Sequence, residues 1–424
     1  MPVLLLFLSL VLSHLVYGAV ARVVPADDLS SIQVTFEAGS GALELQDQSA
    51  RQSITVLENG RWSGRRLVPQ DTSVPLGYRA DLTHNGAQWG ISQWHAPLRL
   101  ADWHDWLLTP VSWRMTRPID LFVTQPKEGD LSLPFERQAE QDSVVRYRAY
   151  PILPGHGGFS MFGNLQTRTL KKEGNRIEVT VVGDSGEEAD LFFRWVEGVL
   201  DTAVEVHGAA PGHATIFLVP IPFVRGVAPW AYVRRGGGSH IIAYVREGLT
   251  LEELNSDWTL FHEVTHLYHP YLHSGGRWVS EGFASYFQNV YQARAGVVTP
   301  DYALGRLSAG LERGRKENVK SGYRPVTEGG RMRVYWTGAA LAYQADARLH
   351  ESGQANAFAR AMGTFANRHM PTRASWHPRD YLSALDEELN DPLLVELYDE
   401  YARDRYFPEP EMSPGTWQLI FGTD

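Results

Sequence analysis

From about residue 29 to residue 182, apolar residues recur mostly at every second position, with turn residues between short runs. Ile32, Val34 and Phe36 alternate with polar neighbours, as do Val145, Tyr147 and Ala149. That period puts one face of a strand on a core. Asn59-Gly60, Asn85-Gly86 and Gly174-Asn175 read as hairpin turns, the last joining 165–170 to 177–182. Short strands with such turns predict a β-sandwich-like domain of about 150 residues. Trp103, Trp106 and Trp113 read as packing within it rather than as a ligand platform.

After Gly186 the period becomes helical. Residues 187–206 read as one helix, stopped by Gly208 and Pro211. Three strands are expected next, at 214–219, 230–233 and 241–245. From Leu251 onward the pattern is helical: Phe358, Met362 and Phe365 mark one helix; Tyr381, Leu382, Leu385 and Leu389 another; Leu394, Leu397 and Tyr401 a third. The expected class is α+β, with a β-rich domain over 22–184 and a second domain over 185–424 that has a small sheet and a helical C-terminal part.

Residues 3–12 are apolar except Ser9 and are followed by Ala19-Val20-Ala21. The segment reads as a secretory signal peptide over residues 1–21, cut after Ala21. It is shorter than the about 20 apolar residues of a membrane span, and no Lys or Arg precedes the run. The expectation is an exported protein, periplasmic or secreted, with an uncleaved N-terminal anchor as the alternative. No other stretch is apolar enough to cross a bilayer.

Composition narrows the chemistry. The 424 residues carry 39 basic and 49 acidic side chains, a net charge of −10, with no block of Lys or Arg, which argues against a nucleic-acid partner. There is no cysteine, so disulfides, thiolate metal sites and Cys nucleophiles are excluded. A metal would have to be held by His, Asp or Glu.

His262-Glu263-Val264-Thr265-His266 is an HExxH motif on a predicted helix. Thr250 and Glu253 are expected to form a capping box ahead of it, and Pro270 to end it. At 100° per residue Leu260, Val264, Leu267 and Tyr271 fall within about 60° and form an apolar face, with His262 and His266 opposite, about 40° apart. Two imidazoles one turn apart can reach one tetrahedral ion. Glu263 is then placed to take a proton from a water that the ion activates. Glu281 follows His266 after a gap of fourteen residues, in Trp278-Val279-Ser280-Glu281-Gly282, near the start of a second predicted helix over 278–295. A carboxylate there closes a His₂Glu set with one open position, the pattern of a catalytic site.

HEVTH followed by WVSEGFASYF resembles the gluzincin metallopeptidases, especially the aminopeptidase N and glycyl aminopeptidase families. Gly208–Pro211 ahead of the strand at 214–219, and Tyr335-Trp336-Thr337-Gly338-Ala339, extend the resemblance over about 185–405. It implies a thermolysin-like catalytic domain and one zinc ion per chain on His262, His266 and Glu281. It also implies Glu263 as general base and Tyr335 as oxyanion donor, acting on a peptide or protein substrate. Tyr323 and Tyr343 are the other candidates for the tyrosine role. His269 and His273 read as surface histidines. The chain departs from the family in three ways: a short gap before Glu281, Gln288 where a carboxylate often orients a metal-bound histidine, and no PDZ module after the helical tail.

One further departure bears on specificity. Where the aminopeptidase N family carries a Gly-x-Met-Glu-Asn segment that holds the substrate's α-amine, this chain has Gly236-Gly237-Gly238-Ser239-His240, with no acid. Glu247 lies beyond the next strand, and Arg235 would repel an amine. Peptides with a blocked amino terminus are therefore expected to be cleaved at least as well as free ones. The alternatives to a peptidase are a non-catalytic metal- or peptide-binding relative and a zinc hydrolase of a non-peptide substrate. Oligomeric state is not legible in the sequence.

Overall fold

The computed structural model describes residues 18–83, 95, 98–111, 118–127, 129–150, 157–184, 186–222, 224–235, 238–273, 275–370, 372, 374–411 and 414–421. Residues 1–17, Asn85-Gly86, Trp113, Gly236-Gly237 and Ser274 lie outside them, and with them most of the expected signal segment. The chain forms two compact units. The first ends at Gln166 and takes in Val182–Asp184 and Arg234–Gly238; the second holds Thr167–Val181, Ser185–Val233 and Ser239–Asp424.

Among its described residues the first unit is built from strands and two short 3₁₀ turns. A seven-stranded sheet runs in the order Glu136–Gln141, Val144–Ala149, Ile119–Thr124, Val20–Pro25, Ser31–Phe36, Leu76–Asp81, Ile54–Glu58. Its neighbours are antiparallel except Val20–Pro25 beside Ile119–Thr124. A four-stranded and a three-stranded sheet complete the unit among the described residues. Period-two burial is realised: Ile32, Val34 and Phe36 on one strand and Val145, Tyr147 and Ala149 on another face the core, which also holds Trp103 and Trp106. Ala21 lies in the central strand, paired with Phe36 and Leu121 and fully buried. A chain starting at Arg22 would lack two residues of that strand, Val20 and Ala21.

Asn59-Gly60 does not close a hairpin. Ile54–Glu58 pairs with Leu76–Asp81 in the large sheet, whereas Gly60–Ser63 pairs with Arg66–Pro69 in the four-stranded one. Asn59 turns the chain between sheets in a left-handed conformation (φ 51°). Its amide donates to the carbonyls of Asp71 and Val74 at 2.7 and 2.8 Å, so the side chain stabilises a corner.

The second unit opens on a five-stranded sheet, ordered Leu165–Lys172, Asn175–Val182, Ala214–Ile221, Ser239–Arg246, Trp230–Arg234. The hairpin at Gly174-Asn175 is therefore part of this sheet rather than of the front sandwich. Its second strand runs parallel to Ala214–Ile221, which runs parallel to Ser239–Arg246. Parallel strands need a crossover, and Glu187–His207 supplies it, ending at Gly208 in the left-handed conformation. Covered on both faces, Ala214–Ile221 is buried along its whole length, the burial expected of a parallel strand.

Helices fill the rest: Leu251–Ser256, Thr259–Thr265, Arg277–Arg294, Pro300–Lys320, Arg331–Glu351, Ala357–His369, Pro378–Leu389, Leu393–Arg403 and Pro414–Phe421. The expected α+β class, β domain in front and helical part behind, is what the chain adopts. No described helix is long and apolar enough to cross a membrane. Arg277–Arg294 and Arg331–Glu351 cross at Gly282 and Gly338 with the backbones touching. A Cβ on Gly282 would stand 2.2 Å from the Gly338 Cα, and one on Gly338 would stand 1.9 Å from the Trp278 carbonyl oxygen. Gly338→Ala is therefore expected to cost about 3 kcal/mol or more, the upper range for overpacking, because backbone and not a flexible side chain is in the way. Urea unfolding measures it; a loss below about 1 kcal/mol would show that the crossing can open freely.

Candidate metal centre

His262 to Thr265 of the HExxH motif lie on a helix of seven residues, Thr259–Thr265, every one of them buried, and His266 caps its end. The helix is shorter than the sequence suggests. The Thr250–Glu253 capping box is present, but it caps a separate helix, Leu251–Ser256. Between the two, Asp257 is extended (ψ 138°) and its carboxylate accepts the Thr259 N–H at 2.7 Å, starting the motif helix afresh. The buried Gln292 amide stabilises the break by donating to the Ser256 and Asp257 carbonyls at 3.2 and 3.3 Å. At the other end His266–Tyr268 tightens into a 3₁₀ turn, and the chain is extended from His269. Tyr271 thus leaves the apolar face assigned to it and is 39% exposed, while Leu260, Val264 and Leu267 are buried. Past Pro270 the strand-like backbone pairs with Trp376 instead: Tyr271 accepts from its N–H and His273 donates to its carbonyl.

The short link to Glu281 turns at Gly275 (φ 78°) and enters the Arg277–Arg294 helix. Glu281 faces both histidines. Its Oε2 lies 3.3 Å from His262 Nε2 and 3.8 Å from His266 Nε2, and one donor atom from each residue falls within 4.8 Å of the others. Donors held about 2.0–2.2 Å from one ion at tetrahedral angles stand roughly 3.3–3.6 Å apart. Two nitrogens and one carboxylate oxygen at this spacing fit a zinc ion. The local field agrees. Burial pushes the His262 imidazolium down, but the Glu281 hydrogen bond and the Glu263 and Glu281 charges raise it above the usual histidine value. Burial pushes the Glu281 carboxyl up, yet the His262 hydrogen bond and the two imidazoles hold it well below the carboxylate range. The pocket favours positive charge.

Each imidazole is also held from behind. His262 Nδ1 donates to Gln288 Oε1 at 2.9 Å, the neutral acceptor in place of a carboxylate that the sequence suggests. His266 Nδ1 meets His269 Nε2 at 2.9 Å, and His269 Nδ1 meets the Pro270 carbonyl at 2.9 Å. A carbonyl only accepts, so His269 carries its proton on Nδ1, its Nε2 accepts from His266 Nδ1–H, and His266 Nε2 keeps its lone pair for the site. His269 is fully buried, which corrects its reading as a surface histidine. The signal was present in the i, i+3 spacing from His266 just before a proline. His273 is half-buried against His377.

Tyr335 sits on the Arg331–Glu351 helix, its ring parallel to His262 within 10° at 6.1 Å between centroids. Burial, and then the Glu281 charge, raise its phenol above the usual value, so it stays protonated as a donor. The other candidate tyrosines are occupied elsewhere: Tyr323 lies against Tyr406, and the buried Tyr343 against Tyr286. Glu263 is buried and its charge acts on His262. Trp258, 41% exposed, stands edge-on to His262 at 5.6 Å. Trp230–Arg234, the sheet's edge strand, adjoins Ser239–Arg246, and Gly236-Gly237 between them lie outside the described residues.

Residues 260–347 match the family model of the M61 glycyl aminopeptidases. No curated protein matches the sequence. Solved structures match almost the whole chain. An aminopeptidase N family protein from Idiomarina loihiensis aligns with a TM-score of 0.64 at 13% identity, over 93% of this chain and 77% of that one. An M1 zinc metallopeptidase from Deinococcus radiodurans aligns with a TM-score of 0.51 at 15% identity, over 94% and 96%. At such identities the likeness defines the fold, that of the aminopeptidase N-like metallopeptidases. Together with the family match it bears out the resemblance to gluzincin peptidases of the glycyl aminopeptidase and aminopeptidase N type.

The hydrogen-bond chain from Pro270 to His266 has a direct test. Imidazole ¹⁵N spectra of the metal-free protein are expected to show His269 as the Nδ1–H tautomer. A protonated His269 Nε2 at neutral pH would break the chain.

Proposed function

We propose that the chain is a zinc-dependent peptidase whose ion is held, one per chain, by His262, His266 and Glu281. The observation that carries the reading is the convergence of those three donors, with each histidine tied at Nδ1 and Glu281 poised between them. When bound, zinc supplies a Lewis acid that polarises the scissile carbonyl and makes a water acidic near neutral pH. Glu263, next to His262 on the motif helix, accepts that water's proton and delivers it to the leaving amine. Tyr335, kept protonated by burial, donates its O–H to the oxyanion as the carbonyl carbon becomes tetrahedral. Burial of His262, Glu263 and His266 keeps competing water from these groups.

The two other classes, a non-catalytic binding relative and a hydrolase of other carbonyl compounds, make different predictions on a peptide library assayed with and without chelator. Metal analysis is expected to find about one zinc per chain, and Glu263→Gln to retain it while hydrolysis falls to background. A metal-loaded Glu263→Gln variant with full activity would remove the general base. Tyr335→Phe is expected to lower kcat about 100-fold with little change in KM, since that hydrogen bond is made mainly in the transition state. An unchanged kcat would assign the oxyanion to another donor.

A further inference from the structure

Two guanidiniums beside Tyr335 have no part in this chemistry. Arg277 opens the helix that carries Glu281; its side chain is 64% exposed and its Nε stands 3.6 Å from Glu281 Oε1. That separation is an ion pair, too long for a good hydrogen bond. Arg331, exposed, opens the helix that carries Tyr335. Among the described residues no carboxylate pairs with it. The two side chains come from different helices and reach the same ring, with the Arg277 and Arg331 Cζ atoms 5.8 and 5.4 Å from the Tyr335 centroid.

Their charge matters because of what surrounds it. The acidic groups that His262 and Tyr335 meet are Glu263 and Glu281, and Glu281 is directed at the histidines. Two carboxylates against two guanidiniums balance, so a divalent ion leaves the site with excess positive charge. A substrate ammonium is repelled there and a substrate carboxylate attracted. A guanidinium fork matches a carboxylate's two oxygens, and two forks that reach one tyrosine ring make a place for one.

We propose that Arg277 and Arg331 form a carboxylate-binding subsite beside Tyr335, so that the enzyme selects peptides by an anionic group close to the scissile bond rather than by a free amine. The inference rests on the peptidase reading of the same site. The carboxylate has two possible sources, a peptide's own C-terminus or an Asp or Glu side chain.

The test is binding to the zinc-loaded Glu263→Gln protein, measured by calorimetry. The probes are acetyl-tetraalanine with a free C-terminus, the same peptide amidated, and the amidated peptide with Glu at its third position. At least one anionic probe is expected to bind about 10-fold tighter than the neutral one, as a charge-assisted contact gives. The gap should narrow as salt rises. A gain for the free C-terminus alone identifies a terminal carboxylate, and a gain for the Glu probe alone identifies an acidic side chain. Arg331→Gln, at an exposed position, is expected to remove most of the preference, and Arg331→Lys to restore part of it, with zinc content measured in each. Equal affinities, no binding of any probe, or a preference that survives the Arg277→Gln/Arg331→Gln double variant would overturn the proposal. Because the readout is binding, failure of wild-type zinc enzyme to cleave any peptide would sink the peptidase reading separately.

Discussion

The contact on which the site depends is the backbone-to-backbone crossing of two helices at Gly282 and Gly338. Glu281 precedes the first glycine by one residue and Tyr335 precedes the second by three, so the crossing that removes both side chains sets these groups beside each other. Arg277 and Arg331 head the same two helices and are carried to the same place. A helix pair held apart by ordinary side chains would separate its axes by 8–10 Å or so. The tyrosine and the carboxylate would then belong to different neighbourhoods. Trp278, buried and stacked on Tyr398, holds the crossing from the outside.

Against that rigid frame the two histidines are oriented by local chain geometry. The motif helix is short, restarted by Asp257 and ended before Pro270. Its second histidine therefore sits where the helix tightens, and the extended chain beyond brings His269 back against it. Both imidazoles lean on neutral partners, an amide and another imidazole. Neutral acceptors fix ring orientation as well as carboxylates do, while adding less electron density to the ligand.

Much of this was legible in the sequence wherever a pattern is local. The HExxH spacing and the periods of the later helices are properties of one helix at a time, while Glu281 and Gln288 are legible through the family pattern the chain resembles, and the structure brings both to His262. What escaped depends on contacts between distant segments. The break at Asp257 is held by Gln292 from another helix. Asn59-Gly60 looks like a hairpin turn in isolation, but its side chain is bonded twelve and more residues ahead, at a corner between sheets. The hairpin at Gly174-Asn175 has no local mark of which domain it joins; a parallel partner at Ala214–Ile221 decides that. His269 stands beside Pro270 and so reads as a surface residue, but the chain brings it back against His266 and buries it.

The seven-stranded sheet also orders events in time. Its central strand, Val20–Pro25, is the first stretch of described chain to be synthesised, yet one of its two neighbours is Ile119–Thr124, with Val20 opposite Asp120. About a hundred residues must emerge before that edge is satisfied, and such non-local parallel pairing is slow because the loop must close before any contact compensates for it. Ser31–Phe36 can dock early as an antiparallel neighbour, so the nascent chain exposes a half-paired apolar ribbon while the rest of the unit is made. The front domain is therefore the part of this molecule that leans most on whatever shields a growing chain.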